Sequence, residues 1–179
     1  MDEQFETFDR AGRLTGCATR ARVHREGLWH RAANVLLFDP DGRLLVQQRS
    51  STRDVCPGAW DLSVAEHLKP GETYEAGAAR GIREELGVET GPLLALGGVR
   101  ESRVELDDPP VRDFELQQSF RGVLHGRVTV DRREVSDVHL IDLDDLAAAM
   151  AERPGRFTPW FRNCAVELGI VGGASRYAS

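Results

Sequence analysis

The chain is poor in lysine, in cysteine and in long apolar runs, and each shortage excludes a class of protein. Lys69 is the single lysine among 23 basic residues, and the net charge is −6. A net negative surface is a poor partner for a polyanion, so no nucleic-acid partner is expected. No apolar stretch approaches the roughly 18 residues that span a bilayer, so no membrane partner is expected either. Cys17, Cys56 and Cys164 are odd in number and widely spaced. They form neither a disulfide framework nor a zinc cluster. The acidic start Met1-Asp2-Glu3-Gln4 lacks the basic opening of a secretory signal, which leads to the expectation of a cytoplasmic protein. Repeats and low-complexity tracts are absent.

What is present is ordinary globular material: 179 residues, 41% hydrophobic and 29% charged. That length suits one domain, taken as residues 1–179, with a hairpin and entry segment over 1–26 and a terminal helix and tail over 157–179. The apolar runs His30–Phe38 and Arg43–Gln48 flank Asp39-Pro40-Asp41-Gly42, strong turn chemistry that predicts a pair of strands. Trp60–Val64 reads as a third strand, and Trp60 as a core residue or a platform for a ring. Leu93–Val99, Phe114–Leu124 and Val138–Ile141 read as further strands. Thr73–Leu86 reads as a helix stopped by Gly87, and Leu143–Met150 and Phe161–Leu168 read as helices. The Arg100–Arg112 stretch carries no recognisable code and is taken as a pocket loop. Strands on both sides of a central helix predict a mixed sheet flanked by helices.

The chemistry concentrates around that central helix. Glu84 and Glu85 lie one turn beyond Gly81, near the helix C-terminus, where the macrodipole disfavours anions. Either they are solvated surface glutamates, or a hard cation offsets the crowding. Arg80 is placed to brace Glu72 and Glu84. Gly77 and Gly81 weaken the helix by roughly 1 kcal/mol each, which suggests close approach to a backbone or a ligand.

Taken together, Glu72, Arg80, Ile82, Glu84, Glu85, Gly87 and Val88 fall at the spacing of a Nudix box, and the chain resembles that family over about Gly27–Ile170. Two positions depart: Glu66 stands for the opening glycine, and Gly81 for the glutamate after the arginine. The resemblance implies an α/β/α sandwich, a small-molecule diphosphate substrate and hydrolysis supported by Mg²⁺ or Mn²⁺. It also implies metal binding by Glu84, Glu85 and Glu115, with help at Glu66, and substrate binding by Arg80. Arg49 is either a phosphate clamp or a surface arginine. The lost carboxylate at Gly81 is expected to be replaced by Glu115, on a strand running beside the helix.

A narrower resemblance joins Val23–Ala32 and Phe157–Phe161 to type I isopentenyl-diphosphate isomerases, which share the Nudix fold. It implies an alternative metal site of His24, His30, His67 and Asp113 with Glu115. The competing reading is that His24, in a polar turn, and His30, at a strand start, only hydrogen-bond locally. The isomerase cysteine is expected two residues before His67, where Ala65 stands. Alanine moves no proton, so an isomerase would lack a reacting group. A hydrolase, a weakly active binding module and an isomerase-like enzyme thus stand as alternatives. Oligomeric state has no signature in this sequence.

Overall fold

The computed structural model describes residues 2–172. At its centre lies β3 (His30–Phe38), buried on both faces except at Arg31. A central strand covered on both sides reads as a nearly continuous apolar run, which is what the sequence shows. β3 runs parallel to β9 (Pro110–Val123), with His30 beside Glu115 and Phe38 beside Val123. β8 (Arg100–Asp107) and the short β7 (Leu94–Ala95) flank β9 antiparallel. β10 (Val135–Ile141) closes the other side against β4 (Leu44–Arg49). A separate ribbon pairs β1 (Gln4–Phe8) with β2 (Leu14–Thr19).

The turn at Asp39 forms as expected: its carboxylate accepts the Asp41 and Arg43 amides and binds the Arg43 guanidinium. The strands it joins, however, pair only at Phe38 and Leu44. Beyond that point they diverge, and the chain from Trp60 to His67 fills the fork. This segment is two strands rather than one: β5 (Trp60–Asp61) pairs with β4, and β6 (Val64–His67) pairs with β3. Ser63 sits at the break and bridges the fork, its hydroxyl accepting from the Leu37 amide and donating to the Leu45 carbonyl.

Helices cover both faces, as the expected sandwich requires. α2 (Tyr74–Gly81) and a following π-helical turn (Ile82–Leu86) place Ala78, Ile82 and Leu86 on Val35, Leu45, Val64 and Phe120. Thr73 caps this helix by accepting from the Ala76 amide, and Gly87 ends it in the left-handed conformation. On the opposite face, α3 (Leu143–Glu152) and α4 (Pro159–Glu167) pack Leu146, Phe161 and Cys164 on Leu36, Leu44 and Leu62. Phe120 is 1% exposed. Phe120→Ala is expected to cost about 3–5 kcal/mol, read as a lowered midpoint in denaturant titration.

Three expectations need correction. The stretch from Arg100 to Arg112 is a β8–β9 hairpin turning at Asp108-Pro109, not a loop. Its alternation buries Ser102 and Val104, but the outward arginines and glutamates masked the period. Of Leu93–Val99 only Leu94–Ala95 is strand. The entry segment holds a helix, α1 (Arg20–Glu26), capped by Thr19 and stopped by Gly27 in the left-handed conformation. His24 therefore lies on a helix rather than in a turn. The tail beyond residue 172 lies outside the described residues.

Candidate metal centre and diphosphate site

Strand register alone assembles most of the first cluster. Neighbouring strands put register partners on one face, and alternate residues of a strand share it. His67 pairs with Ala32, two residues from His30, and His30 pairs with Glu115, two residues from Asp113. Four side chains from three strands thus emerge together. α1 adds His24 from above, while Phe5 of β1 stacks on His30 with ring centroids 5.4 Å apart. His24, His30, His67 and Asp113 each offer one ligand atom, all within 4.8 Å of one another. Asp113 Oδ1 lies 3.3 Å from His30 Nε2 and 3.5 Å from His24 Nε2. Glu115 Oε1 lies 3.1 Å from His67 Nε2 and 3.8 Å from His30 Nε2.

The chemistry of this nest fits a cation. His24 Nε2, His30 Nε2 and Asp113 Oδ1 are buried and make no hydrogen bond. Buried polar atoms are rarely left so, because each costs roughly 1–3 kcal/mol. Three orphans converging on one point are what a divalent ion satisfies. Burial together with the Arg20 charge pushes His67 well below the usual imidazole range. Neutral imidazole is the ligating form. Burial works against the charge of Asp113, yet the adjacent His24 and His30 rings hold its carboxyl well below the usual carboxylate range. Burial opposes protonation of His30, and Asp113 and Glu115 overcome it. Burial, with the Asp113 charge, pushes Glu115 up to about 8. The contact between His67 and Glu115 is therefore not a pair of full charges.

A second cluster surrounds Arg80. Its guanidinium binds both oxygens of Glu72, the His67 carbonyl, Glu66 Oε2 at 3.1 Å and Glu84 Oε2 at 3.2 Å. The expected bracing of Glu72 and Glu84 is thus present, with Glu66 as a further partner. Glu84 is half exposed, but Glu85 is buried and accepts from Gln47 Nε2 at 2.8 Å. They are accordingly not a matched solvated pair. Burial and the nearby Glu66 charge push Glu85 well above the usual carboxylate range. Burial lifts Glu66 to about 7 against the pull of Arg80.

Both clusters line one cavity of about 510 Å³. Arg20, Arg49, Arg53, Lys69, Arg80 and Arg133 add positive charge to its wall, as a diphosphate would require. Arg49 is no loose surface residue: it donates to the Val55 carbonyl and to Asp61, and lies over the Trp160 ring. Ala65 also lines the cavity, across from Asn34. Glu115 has His30, His67 and Gln117 as partners, so it belongs to the histidine nest rather than to the Arg80 cluster. Sequence reading missed Arg20, Phe5 and Gln47 as parts of the site. Thr19 and Gly27, a cap and a stop around seven residues, were the available signal for α1.

The sandwich and the glutamate-bearing helix over its forked sheet define the Nudix class. Comparison with known proteins agrees, since the NUDIX domain description matches residues 28–161. The chain belongs to the Nudix family. Among its relatives, an isopentenyl-diphosphate Delta-isomerase of Nocardia farcinica is 36% identical over 156 residues, 87% of this chain and 88% of that protein. Another of that name, from Burkholderia multivorans, is 34% identical and covers 93% of both chains. Among solved structures, a MutT NUDIX hydrolase from Burkholderia pseudomallei superposes with a TM-score of 0.60 at 20% identity, covering 78% of this chain and 96% of its own. A Deinococcus radiodurans protein gives a TM-score of 0.64 at 22% identity, covering 84% and 90%. At those identities the structures speak for the fold. No helix among the described residues is long and apolar enough to cross a membrane.

Proposed function

We propose that this chain is a cation-dependent hydrolase of a small diphosphate compound, with its principal metal held by His24, His30, His67 and Asp113. The observation that carries the reading is the convergence of orphaned ligand atoms beside a cavity lined by arginines and Lys69 as well as by carboxylates. Imidazole ligands favour zinc and other later transition ions, whereas carboxylates with phosphate oxygens suit Mg²⁺ or Mn²⁺. A bound cation would neutralise phosphate charge and acidify a water molecule. Arg80, Arg49 and Lys69 would hold the diphosphate, and Arg80 is kept in place by its carboxylate partners. Glu115, buried beside the nest, would in the ionised form that a neighbouring cation favours take the proton of the attacking water as its oxygen bonds to phosphorus. The bridging P–O bond then breaks, and the departing group keeps the electron pair.

The names of the relatives favour a second reading, isomerisation of isopentenyl diphosphate, and the histidine nest suits it. Ala65 weighs against it, because moving a double bond needs a group to deliver one proton while another removes a second. Both readings are tested by incubating the protein, loaded with Mn²⁺ or Mg²⁺, with a panel of diphosphates that includes isopentenyl diphosphate. Cation-dependent release of phosphate or a monophosphate is expected, with no allylic isomer detected chromatographically. Isomer formation without phosphate release would replace the first reading by the second. No turnover of any compound by fully loaded protein would favour a binding module.

A further inference from the structure

The cavity wall holds a hydrogen-bond donor that the protein itself leaves unmet. Asn34 of β3 is 1% exposed, lines the cavity, and makes no hydrogen bond through Nδ2. Strand register gives the reason. Its partner on β6 is Ala65 and its partner on β9 is Ser119, both with side chains on the same face as its own. Ala65 offers only a methyl group. The Ser119 hydroxyl has Cys164 Sγ of α4 as its partner, at 3.8 Å. Trp160, also on the cavity wall, donates its indole N–H to Asp61 and has no acceptor to offer. Buried amide groups are rarely left in this state.

The position of this donor relates it to the histidine nest. Ala32 lies two residues before Asn34 on the same strand face and is the register partner of His67. Two strand residues span about 7 Å, a distance that a short organic chain covers. Ala32 and Ala65 both line the cavity beside Asn34, and neither is long enough to screen it. A purely hydrocarbon group seated here would cover the amide and leave it without an acceptor, which disfavours binding. An oxygen atom in the same place would satisfy it.

We propose that Asn34 selects the substrate by its organic part, donating from Nδ2 to a hydroxyl or carbonyl oxygen that sits over Ala65. The substrate class is then a diphosphate whose short organic group carries an oxygen, as distinct from a hydrocarbon one such as isopentenyl diphosphate. The assignment rests on the reading of the cavity as a diphosphate site, but not on which reaction follows. It gives Ala65 a positive role, because its small side chain leaves room for that oxygen.

The test uses methylene-bridged bisphosphonate analogues of 3-methylbut-2-enyl diphosphate and of its 4-hydroxy derivative. They differ by one hydroxyl and resist cleavage between the phosphorus atoms. Binding of each to the full chain loaded with Mn²⁺ is measured by titration calorimetry. The wild type is expected to bind the hydroxylated analogue about tenfold or more tightly. Asn34→Leu keeps the size of the side chain without its donor and should bring the two affinities together. Ala65→Ser sets an acceptor of the protein's own against the amide, and should narrow the preference while melting no lower than wild type. Equal affinities in the wild type would overturn the proposal, as would a preference that persists in Asn34→Leu. If Asn34→Leu does not fold, an undiminished preference in Ala65→Ser overturns it instead. Failure of both analogues to bind the wild type would remove the diphosphate reading and this assignment with it. The expected preference without hydrolysis of either parent diphosphate would count against hydrolysis alone and leave the role of Asn34 standing.

Discussion

His67→Ala is expected to lower cation-dependent turnover by about 10³-fold or more, since it removes a ligand from the metal that activates water. The apo protein should still fold, with some loss of stability because the ring packs on Phe5 and pairs with Glu115. Two measurements separate these effects. Visible absorption of the Co²⁺-loaded protein reports imidazole ligation and should lose intensity, whereas near-ultraviolet circular dichroism of the apo protein should not change. Full turnover in His67→Ala would place the working metal elsewhere, and Glu84 and Glu85 would become the leading ligands.

Asp61→Ala should produce a loss of stability as large as that of Phe120→Ala. Asp61 is fully buried and accepts from the Thr158 hydroxyl, the Trp160 indole and the Leu62 amide, while also pairing with Arg49. Burial pushes its carboxyl above the usual range, and Arg49 and those donors pull against the rise. Removing it leaves Arg49 and the donors without their acceptor. The expected cost is roughly 3–5 kcal/mol, which for a chain of this size lowers Tm by about 6–20 °C. Asp61→Asn keeps an oxygen for Thr158 and Trp160 and should fall less. Equal losses in the two variants would show that the charge on Asp61, rather than its hydrogen bonds, holds α4 against β5.

The fold is legible in the sequence where a signal is local. Asp39 to Gly42 could only be a turn, and Thr73 to Leu86 read as a helix with a stop at Gly87. The Arg80 network was also legible, because Arg80 and Glu84 are one helical turn apart and Glu72 sits at the start of the same segment. The histidine nest was suggested by resemblance alone. Its members come from α1, β3, β6 and β9, and only the parallel β3–β9 register brings His30 to Glu115. Residue spacing along the chain contains no trace of that pairing. The packing of Glu66 against Gly81 was hidden for a similar reason, because it exists only across the space between strand and helix. The β3–β4 pairing was misread because a good turn implies a hairpin, and nothing local announces that another segment enters between its arms.

That inserted segment has a consequence for how this architecture changes its chemistry. A closed sheet spends every backbone group on its neighbours, and its side chains are committed to packing. Here residues 60–67 pair with the sheet only at each end, and their middle is anchored by the Ser63 hydroxyl between Leu37 and Leu45 and by the buried side chains of Asp61, Leu62 and Val64. Ala65, Glu66 and His67 follow one another at the end of this segment, and all three line the cavity. Changes at three consecutive residues can therefore alter the cavity wall at three points. Relatives with one shared frame can in this way diverge in reaction while remaining similar along most of their length.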